Sequence, residues 1–336
     1  MAGVDGVDGV PEVFAVPEVP AVPEVPAVST QTAAVTVADA AIDQSRLTVV
    51  VNPKAGGGRA AKVLDDVRAA LARWADDVTV ETTRSLEHAD ELARAAVADG
   101  RVTVALGGDG LVGKVAGSVA RAGGVLAVLP GGRGNDFARG LGIPRDPALA
   151  ATALVGAVER RVDLPEANGV PFLGIASLGF DSDVQVIANR TTRLSGQSVY
   201  TYAVLRALAA WKPARFTVAV DGEPAFEHLG WTVGAANGPF YGGGMKFAPA
   251  ADIADGQLEI VLVARTSRFT FLRLFPRIFS GRHVEVPYVE VRRARRLLVD
   301  ADRPFQVYAD GDPVADLPAE IVVRPGALRL LVPPRT

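Results

Sequence analysis

Cysteine is absent from this 336-residue chain, which excludes disulfides and thiolate-held metals. Histidine occurs only at His88, His228 and His283, too scattered for an imidazole zinc site. No stretch of about twenty residues is free of both charge and proline, the length a membrane-crossing helix needs. Lysine and arginine are missing from residues 1–45. The N-terminus therefore lacks the basic start of a secretory leader, and a cytoplasmic protein is expected.

What is present divides the chain. Residues 1–45 carry seven acids and repeat VPEVFA, VPEVPA, VPEVPA from Val10, Val16 and Val22. Proline at every third position blocks helix and sheet, so a disordered tail is expected, either a partner-binding or spacer segment or an unselected extension. The formal net charge of −3 then leaves a mildly basic body behind an acidic tail. With 49% hydrophobic residues, that body has material for substantial cores.

From Arg46 onward, short apolar runs alternate with helical spacing. Leu47–Val51, Val78–Thr83, Val102–Leu106 and Val125–Leu129 read as strands. Residues 63–74 and Glu87–Ala98 read as helices. The alternation predicts a parallel sheet with helices on both faces, which binds ligands beyond the C-terminal strand ends. Three glycine-rich loops follow three of these strands: Asn52-Pro53-Lys54-Ala55-Gly56-Gly57-Gly58, Gly107-Gly108-Asp109-Gly110, and Pro130-Gly131-Gly132-Arg133-Gly134-Asn135-Asp136. Glycine lets bare backbone N–H groups approach a phosphate, and a following helix adds its positive end. Asp109 and Asp136 are then candidate Mg²⁺ ligands, with Asp109 alternatively a base; a helix-capping Asp in an ordinary turn is the other reading of Asp109. Lys54, Arg59 and Arg133 could neutralise phosphate charge; for Lys54 and Arg59 a solvated place at a helix start is the alternative. Asp163 is either part of an acidic network or a strand-end turn residue.

After about Asp163 the pattern changes to short β-like runs punctuated by Asn168-Gly169, Asp221-Gly222, Asp255-Gly256 and Asp310-Gly311. Strands are expected at 171–176, 215–220, 229–236, 257–264, 284–291, 296–300, 304–309, 319–323 and 327–332, interrupted by helices at about 181–211 and 267–279. This spacing suggests a β-sandwich or related antiparallel domain. The long glycine-rich loop 237–250 hints at function. Residues 265–296 carry nine Arg against Glu285 and Glu290, next to an apolar helical stripe. That segment is either a surface for anionic lipid headgroups or a helix packed on the sandwich with a solvated arginine face. No helix-turn-helix or RNA-binding motif accompanies it, so no nucleic-acid partner is expected.

Taken together, Gly107–Gly110, the Asn52-Pro53 loop and Gly134-Asn135-Asp136-Phe137-Ala138 resemble the soluble bacterial diacylglycerol kinase-like lipid kinases, in the superfamily of the sphingosine and ceramide kinases. Asp163-Leu164, Asn168-Gly169, Phe172, Ser177-Leu178-Gly179-Phe180-Asp181, Asn237-Gly238, Gly242–Gly244 and Asp310-Gly311-Asp312 extend the likeness across nearly all of 46–336. The resemblance implies an α/β protein: an N-terminal parallel α/β nucleotide-binding domain over 46–165, an antiparallel β-sandwich lipid-substrate domain over 166–336, and an active site in the cleft between them. It implies ATP, Mg²⁺ and transfer of the γ-phosphate to a lipid hydroxyl, such as that of diacylglycerol or a sphingoid-type alcohol. Carried over by position, ATP contacts Asn52, Pro53, Lys54, Ala55 and Gly56, then Thr83 or its neighbour Thr82. It also contacts Gly107, Gly108, Asp109, Gly110, Leu111, Val112 and Gly113, with Arg133, Gly134, Asn135 and Asp136. The acid/base residue falls on Asp312, with Asp109 as the alternative. A structural Mg²⁺ uses the Asp255 side chain with the backbone carbonyls of Asp252 and Gln257. A homodimer and peripheral contact with an anionic membrane surface are further expectations. Three positions depart from the family pattern: Leu111 and Arg133 each stand where Thr is common, and Asp312 where Glu is usual. An NAD kinase-like phosphotransferase and an inactive lipid- or nucleotide-binding protein are the competing readings.

Overall fold

The computed structural model describes residues 43–191 and 197–334; the expected tail falls almost wholly outside them. The chain enters as β1 (Asp43–Val51), α1 (Ala55–Lys62), α2 (Leu64–Leu71), β2 (Asp77–Thr82) and α3 (Leu86–Ala98). It continues through β3 (Arg101–Gly107), α4 (Asp109–Arg121), β4 (Val125–Pro130), α5 (Asp136–Gly140), α6 (Pro147–Ala153) and β5 (Val158–Val162). Every residue of β3 and β4 is buried, as parallel strands covered on both faces must be. Helix α2 packs with α6, and α3 with α4. Local signals agree: Ser85 caps α3 through His88 N, and Asp146 caps α6 with Pro147 in its first turn.

Arg101 opens β3 with its guanidinium buried. It donates to Leu47 O, Thr48 Oγ1, Thr79 Oγ1 and the Asp77 carboxylate at 2.6 Å, clipping three strands together. A buried charge is tolerable because each of the three guanidinium nitrogens has a partner.

The second half contributes short β6 (Glu166–Ala167) and β7 (Val170–Pro171), then β8 (Ile175–Gly179), α7 (Phe180–Arg190) and α8 (Gln197–Ala210). Strands β9 (Ala214–Val220), β10 (Phe226–Ala236) and β11 (Leu258–Ala264) precede α9 (Arg268–Leu274), which runs into 3₁₀ turns at Phe275–Ser280 and Arg282–Glu285. Then come β12 (Val289–Ala294), β13 (Arg296–Ala301), β14 (Gln306–Ala309), β15 (Asp312–Asp316), β16 (Ala319–Val322) and β17 (Leu328–Val332). The long β10 pairs with β11 along one edge; along the other it pairs with β9 by its first half and β8 by its second. That fork turns one antiparallel sheet into sandwich-like layers around Phe172, Phe216, Trp231 and Leu262.

Two expectations are corrected. The strand expected at 284–291 lies at Val289–Ala294, because Arg282–Glu285 coils as 3₁₀ and Pro287 follows. The strand expected at 327–332 in the second domain instead joins the first sheet as β17, parallel to β4 and antiparallel to β5, in the order β2-β1-β3-β4-β17-β5. A single cut between 165 and 166 therefore does not separate the two sheets. The apolar residues Leu328, Leu330 and Leu331 complete the first core instead.

Candidate active site

Strands β1, β3 and β4 are parallel neighbours, so the loops that leave them emerge side by side. Gly56, Gly57 and Gly58 have φ of 59, 72 and 88°, a run of left-handed backbone that residues with a Cβ adopt at a cost. The loops touch through their main chains. Gly131 N donates to Gly107 O at 2.7 Å, Asn52 N to Leu106 O at 3.2 Å, and the Arg59 guanidinium to Gly132 O at 3.0 Å. A Cβ on Gly132 would stand 2.4 Å from Gly108 Cα, and one on Gly56 2.6 Å from Gly131 O. Glycine is needed here because backbone meets backbone. Asn135, left-handed at φ 52°, exchanges hydrogen bonds with Gly132 N and O and so fixes the third loop.

Carboxylates gather beside this cradle. Asp109 is the first residue of α4, and its Oδ1 accepts from Phe137 N at 3.3 Å. Asp136 Oδ2 accepts from Gly243 N at 2.7 Å, which joins the α/β half to loop 237–250. Its Oδ1 is buried and accepts no hydrogen bond, with Arg139 Nε 3.5 Å away. Asp310 and Gly311 form the two-residue turn between β14 and β15, with φ of 51 and 98°. Asp310 accepts from the backbone N–H groups of Leu173, Gly174 and Ile175 at 2.7, 3.0 and 3.3 Å. Asp312 reaches across to α4: a Cβ on Gly110 would stand 2.6 Å from its Oδ2.

All four carboxyls are pushed above the usual carboxylate range. Burial dominates for each, and the like charge of Asp136 adds to it for Asp109. Asp310 rises to about 7, chiefly from burial and despite its N–H donors. Four carboxyls beside the cradle, with Arg139 paired to Asp136 among them, suit a cation. Among the described residues, no three acidic or imidazole groups form a metal-binding cluster by themselves. A cation here would complete its shell with phosphate oxygens and water, as Mg²⁺ commonly does. The unsatisfied Asp136 Oδ1 fits that role.

A cavity of about 320 Å³ opens from the carboxylates. Asp109, Asp136 and Asp310 line it, together with an apolar wall that includes Phe180, Val204, Phe271, Leu272, Phe275 and Phe279. Asp312 is not part of its wall.

The structure brings the sequence-predicted residues Asn52–Gly56, Thr83, Gly107–Gly113 and Arg133–Asp136 to one sheet edge. Leu111 and Val112 turn their side chains into the core, so they offer a ligand main chain only. Thr83 Oγ1 is engaged with Ser85 O. Asp252, Asp255 and Gln257 lie apart and do not line the cavity. There the Asp255 carboxylate accepts from Arg293 and from Gln257 N, while buried Asp163 accepts from Gly256 N and Gly326 N at 2.7 and 2.8 Å. The side chain expected to hold a structural Mg²⁺ is thus already paired with a guanidinium, and Asp163 is a latch between two turns. Sequence reasoning missed Asp310 as a separate group, and it gave no role to Asp181, Tyr241 or His283, which also line the cavity. Loop 237–250 was the one signal that pointed toward Tyr241.

Residues 46–167 match the family model of the diacylglycerol kinase catalytic domain. Residues 174–332 match that of the YegS C-terminal NAD kinase beta sandwich-like domain. A diacylglycerol kinase of Mycobacterium tuberculosis is 36% identical over 295 residues, covering 86% of this chain and 95% of the relative. The chain belongs to the diacylglycerol kinase-like lipid kinase family. A Pseudomonas aeruginosa protein described as "Probable lipid kinase YegS-like" is 33% identical over 87% of this chain and 96% of its own. A solved diacylglycerol kinase structure from Bacillus anthracis str. Sterne superposes with a TM-score of 0.70 at 24% identity, covering 86% of this chain and 97% of that one, and shows the shared fold. This lipid kinase thus has the nucleotide-binding sheet and antiparallel partner that its sequence implied. Among its described residues no helix is long and apolar enough to cross a membrane.

Proposed function

We propose that this lipid kinase transfers the γ-phosphate of ATP to the free hydroxyl of a diacylglycerol-like lipid alcohol. The observation that carries this reading is the cavity that joins Asp109 and Asp136 to an apolar sheath. An acceptor filling it presents a hydroxyl to carboxylates and buries hydrocarbon behind it, which suits a lipid and not a dinucleotide such as NAD. Phosphoryl transfer demands positioning and charge neutralisation more than covalent chemistry. The glycine loops hold the phosphates by main-chain N–H groups at the positive end of α4. Mg²⁺ held by Asp136 and the phosphates would neutralise charge on the transferred group.

Asp109 faces both the cradle and the cavity, so it takes the hydroxyl proton. Its raised pKa makes it a stronger base than an exposed carboxylate. Asp312, one methylene shorter than the usual Glu and outside the cavity wall, supports the first turn of α4 from the other side.

The mouth of the cavity supports lipid delivery from a bilayer. Leu205, Leu272 and Phe279 are solvent-exposed and line the cavity at once, and Phe269 beside them is 69% exposed. Arg265, Arg273 and Arg277 belong to the same segment. Exposed apolar side chains in an arginine-rich segment suit an anionic leaflet.

The test is incubation with γ-labelled ATP and either dioleoylglycerol micelles or NAD. Label is expected in the lipid. Label in NAD alone, or tight nucleotide binding with no transfer to any lipid, overturns the reading.

A further inference from the structure

The third glycine loop and loop 237–250 come from different halves of the molecule, yet side chains of the short helix α5 hold them together. Within loop 237–250 the chain doubles back as a hairpin: Tyr241 N donates to Met245 O at 3.0 Å, and Met245 N to Tyr241 O at 2.9 Å. Its tip is Gly242-Gly243-Gly244, with φ of 59, 84 and 117°. Three glycines in a row lose much conformational freedom when they are fixed. The tip is held from α5. Asp136 Oδ2 accepts from Gly243 N at 2.7 Å. Arg139, one turn further along α5, pairs through Nε with Asp136 Oδ1 at 3.5 Å. Its guanidinium lies against the tip, for a Cβ on Gly244 would stand 3.3 Å from Cζ and 3.5 Å from an outer nitrogen. The same group sits 5.9 Å from the centre of the Phe240 ring and 3.5 Å from Gly134 O in the third loop. One cation thus touches both the loop expected to hold phosphates and the hairpin. Phe240, Tyr241, Gly242, Gly243 and Met245 also line the cavity, so the hairpin is a wall of the space proposed for the lipid.

We infer that Arg139 is a positioning residue that couples the two substrate sites: by clamping the Tyr241–Met245 hairpin to the third glycine loop, it lets the filling of either site order the wall of the other. This rests on the lipid-kinase site proposed above and names how its two ends communicate. Whichever substrate arrives first meets the entropic cost of fixing the glycines, and the second binds to a wall already set. The coupling is reciprocal by linkage, so each ligand tightens the other by the same factor. Arginine suits the task better than lysine, because its flat, delocalised cation pairs with a carboxylate and packs over a ring and a glycine backbone at once. Arg139 touches no reacting atom in this scheme.

Two measurements on the full chain test the clamp, with AMP-PNP and magnesium as the nucleotide probe so that no turnover intervenes. The first needs no lipid. Hydrogen exchange of the amides of residues 240–246 is expected to slow by about threefold or more when AMP-PNP is added to the wild type, and to stay unchanged in Arg139→Ala. The second is the dissociation constant of AMP-PNP with and without dioctanoylglycerol. The lipid is expected to tighten the nucleotide about fivefold or more in the wild type and less than about twofold in Arg139→Ala. Arg139→Lys, which keeps the charge and loses the flat face, should fall between them. A merely structural role would weaken each ligand and leave that ratio unmoved. Arg139→Gln, uncharged but with a side chain that still reaches toward the hairpin, stands in if Arg139→Ala does not fold. A wild-type hairpin that AMP-PNP does not protect, or a ratio that survives in folded Arg139→Ala or Arg139→Gln, overturns the inference. A wild type that shows the protection and the coupling yet transfers no label from ATP to lipid overturns the kinase reading and leaves the clamp standing.

Discussion

Gly132→Ala adds one methyl group where the third glycine loop crosses the second. The new Cβ would stand 2.4 Å from Gly108 Cα, 3.1 Å from Gly108 N and 3.0 Å from Asn135 Oδ1. Carbon atoms rest at about 3.5–4.0 Å, so the two loops must part by about 1 Å. Neither neighbour is the free end of a flexible side chain. Gly108 is main chain at the head of α4, and Asn135 is tied to Gly132 by two hydrogen bonds. Overpacking of this kind costs about 1–3 kcal/mol of stability. The larger effect is kinetic, because a displacement of about 1 Å in a phosphate cradle costs on the order of 100-fold in rate. The control is Gly100→Ala, in the turn between α3 and β3 at the other end of the sheet. Gly100 has φ of 68°, and a Cβ added there would meet nothing within 4 Å. Alanine at this position costs about 1–2 kcal/mol for left-handed backbone and touches no loop. Both variants should therefore melt at lower temperatures by similar amounts. Only Gly132→Ala should raise the KM for ATP and lower kcat/KM, by about 100-fold. Wild-type nucleotide kinetics in Gly132→Ala, or an equal kinetic loss in Gly100→Ala, would refute the argument that loop contact builds the site.

Asp109→Asn is expected to lower turnover by about 10²–10⁴-fold with an unchanged circular dichroism spectrum. Asp312→Glu, which restores the family's usual residue, is expected to stay within about threefold of wild type; a large gain in that variant would move the base from Asp109 to Asp312. Asp181 and Asp310 both have carboxyls raised to about 7. The folded state therefore holds protons that the unfolded chain releases near the ordinary value of 3.8, and their contribution to stability is lost as pH rises from about 4 to about 7. Removing one such proton by Asp181→Asn should flatten the fall in Tm between pH 5 and pH 8, and an unchanged slope would count against the raised carboxyl. Burial holds the His283 imidazole below its ordinary pKa, so its contribution has the opposite sign and is lost as pH falls through that lowered value. His283→Phe should abolish that acid-side loss; calorimetry at pH 5 and pH 7 checks it.

The convergence of the three loops was legible because it is local chemistry repeated. Each loop follows an apolar run and precedes a helix, and parallel topology then forces them onto one edge whatever the strand order. The place of β17 was not legible. Leu328-Arg329-Leu330-Leu331 reads as a strand equally well in either sheet, and only the gap beside β4 decides between them. Asp255 shows the same limit on a smaller scale. Gln257 N, two residues on, already engages one carboxylate oxygen, and Arg293, 38 residues away, arrives from β12 and pairs with the other. The lipid sheath was half legible. The aromatic stripe from Phe269 to Phe279 was evident, but whether such a stripe covers a core or a cavity depends on what lies beneath.

What lies beneath it is set by the fork in β10. Because β8 and β9 take different halves of one edge of β10, the sheet splits where Gly179 faces Thr232. Gly179 has φ of 100°, and a Cβ there would stand 2.4 Å from Trp231 O. The chain can therefore turn out of the sheet into α7 only at a glycine. That turn carries Phe180 and Asp181 into the space between the layers, one closing the aromatic cluster and the other lining the cavity. The same glycine thus shapes the cavity and supplies the carboxyl that interrupts its apolar wall.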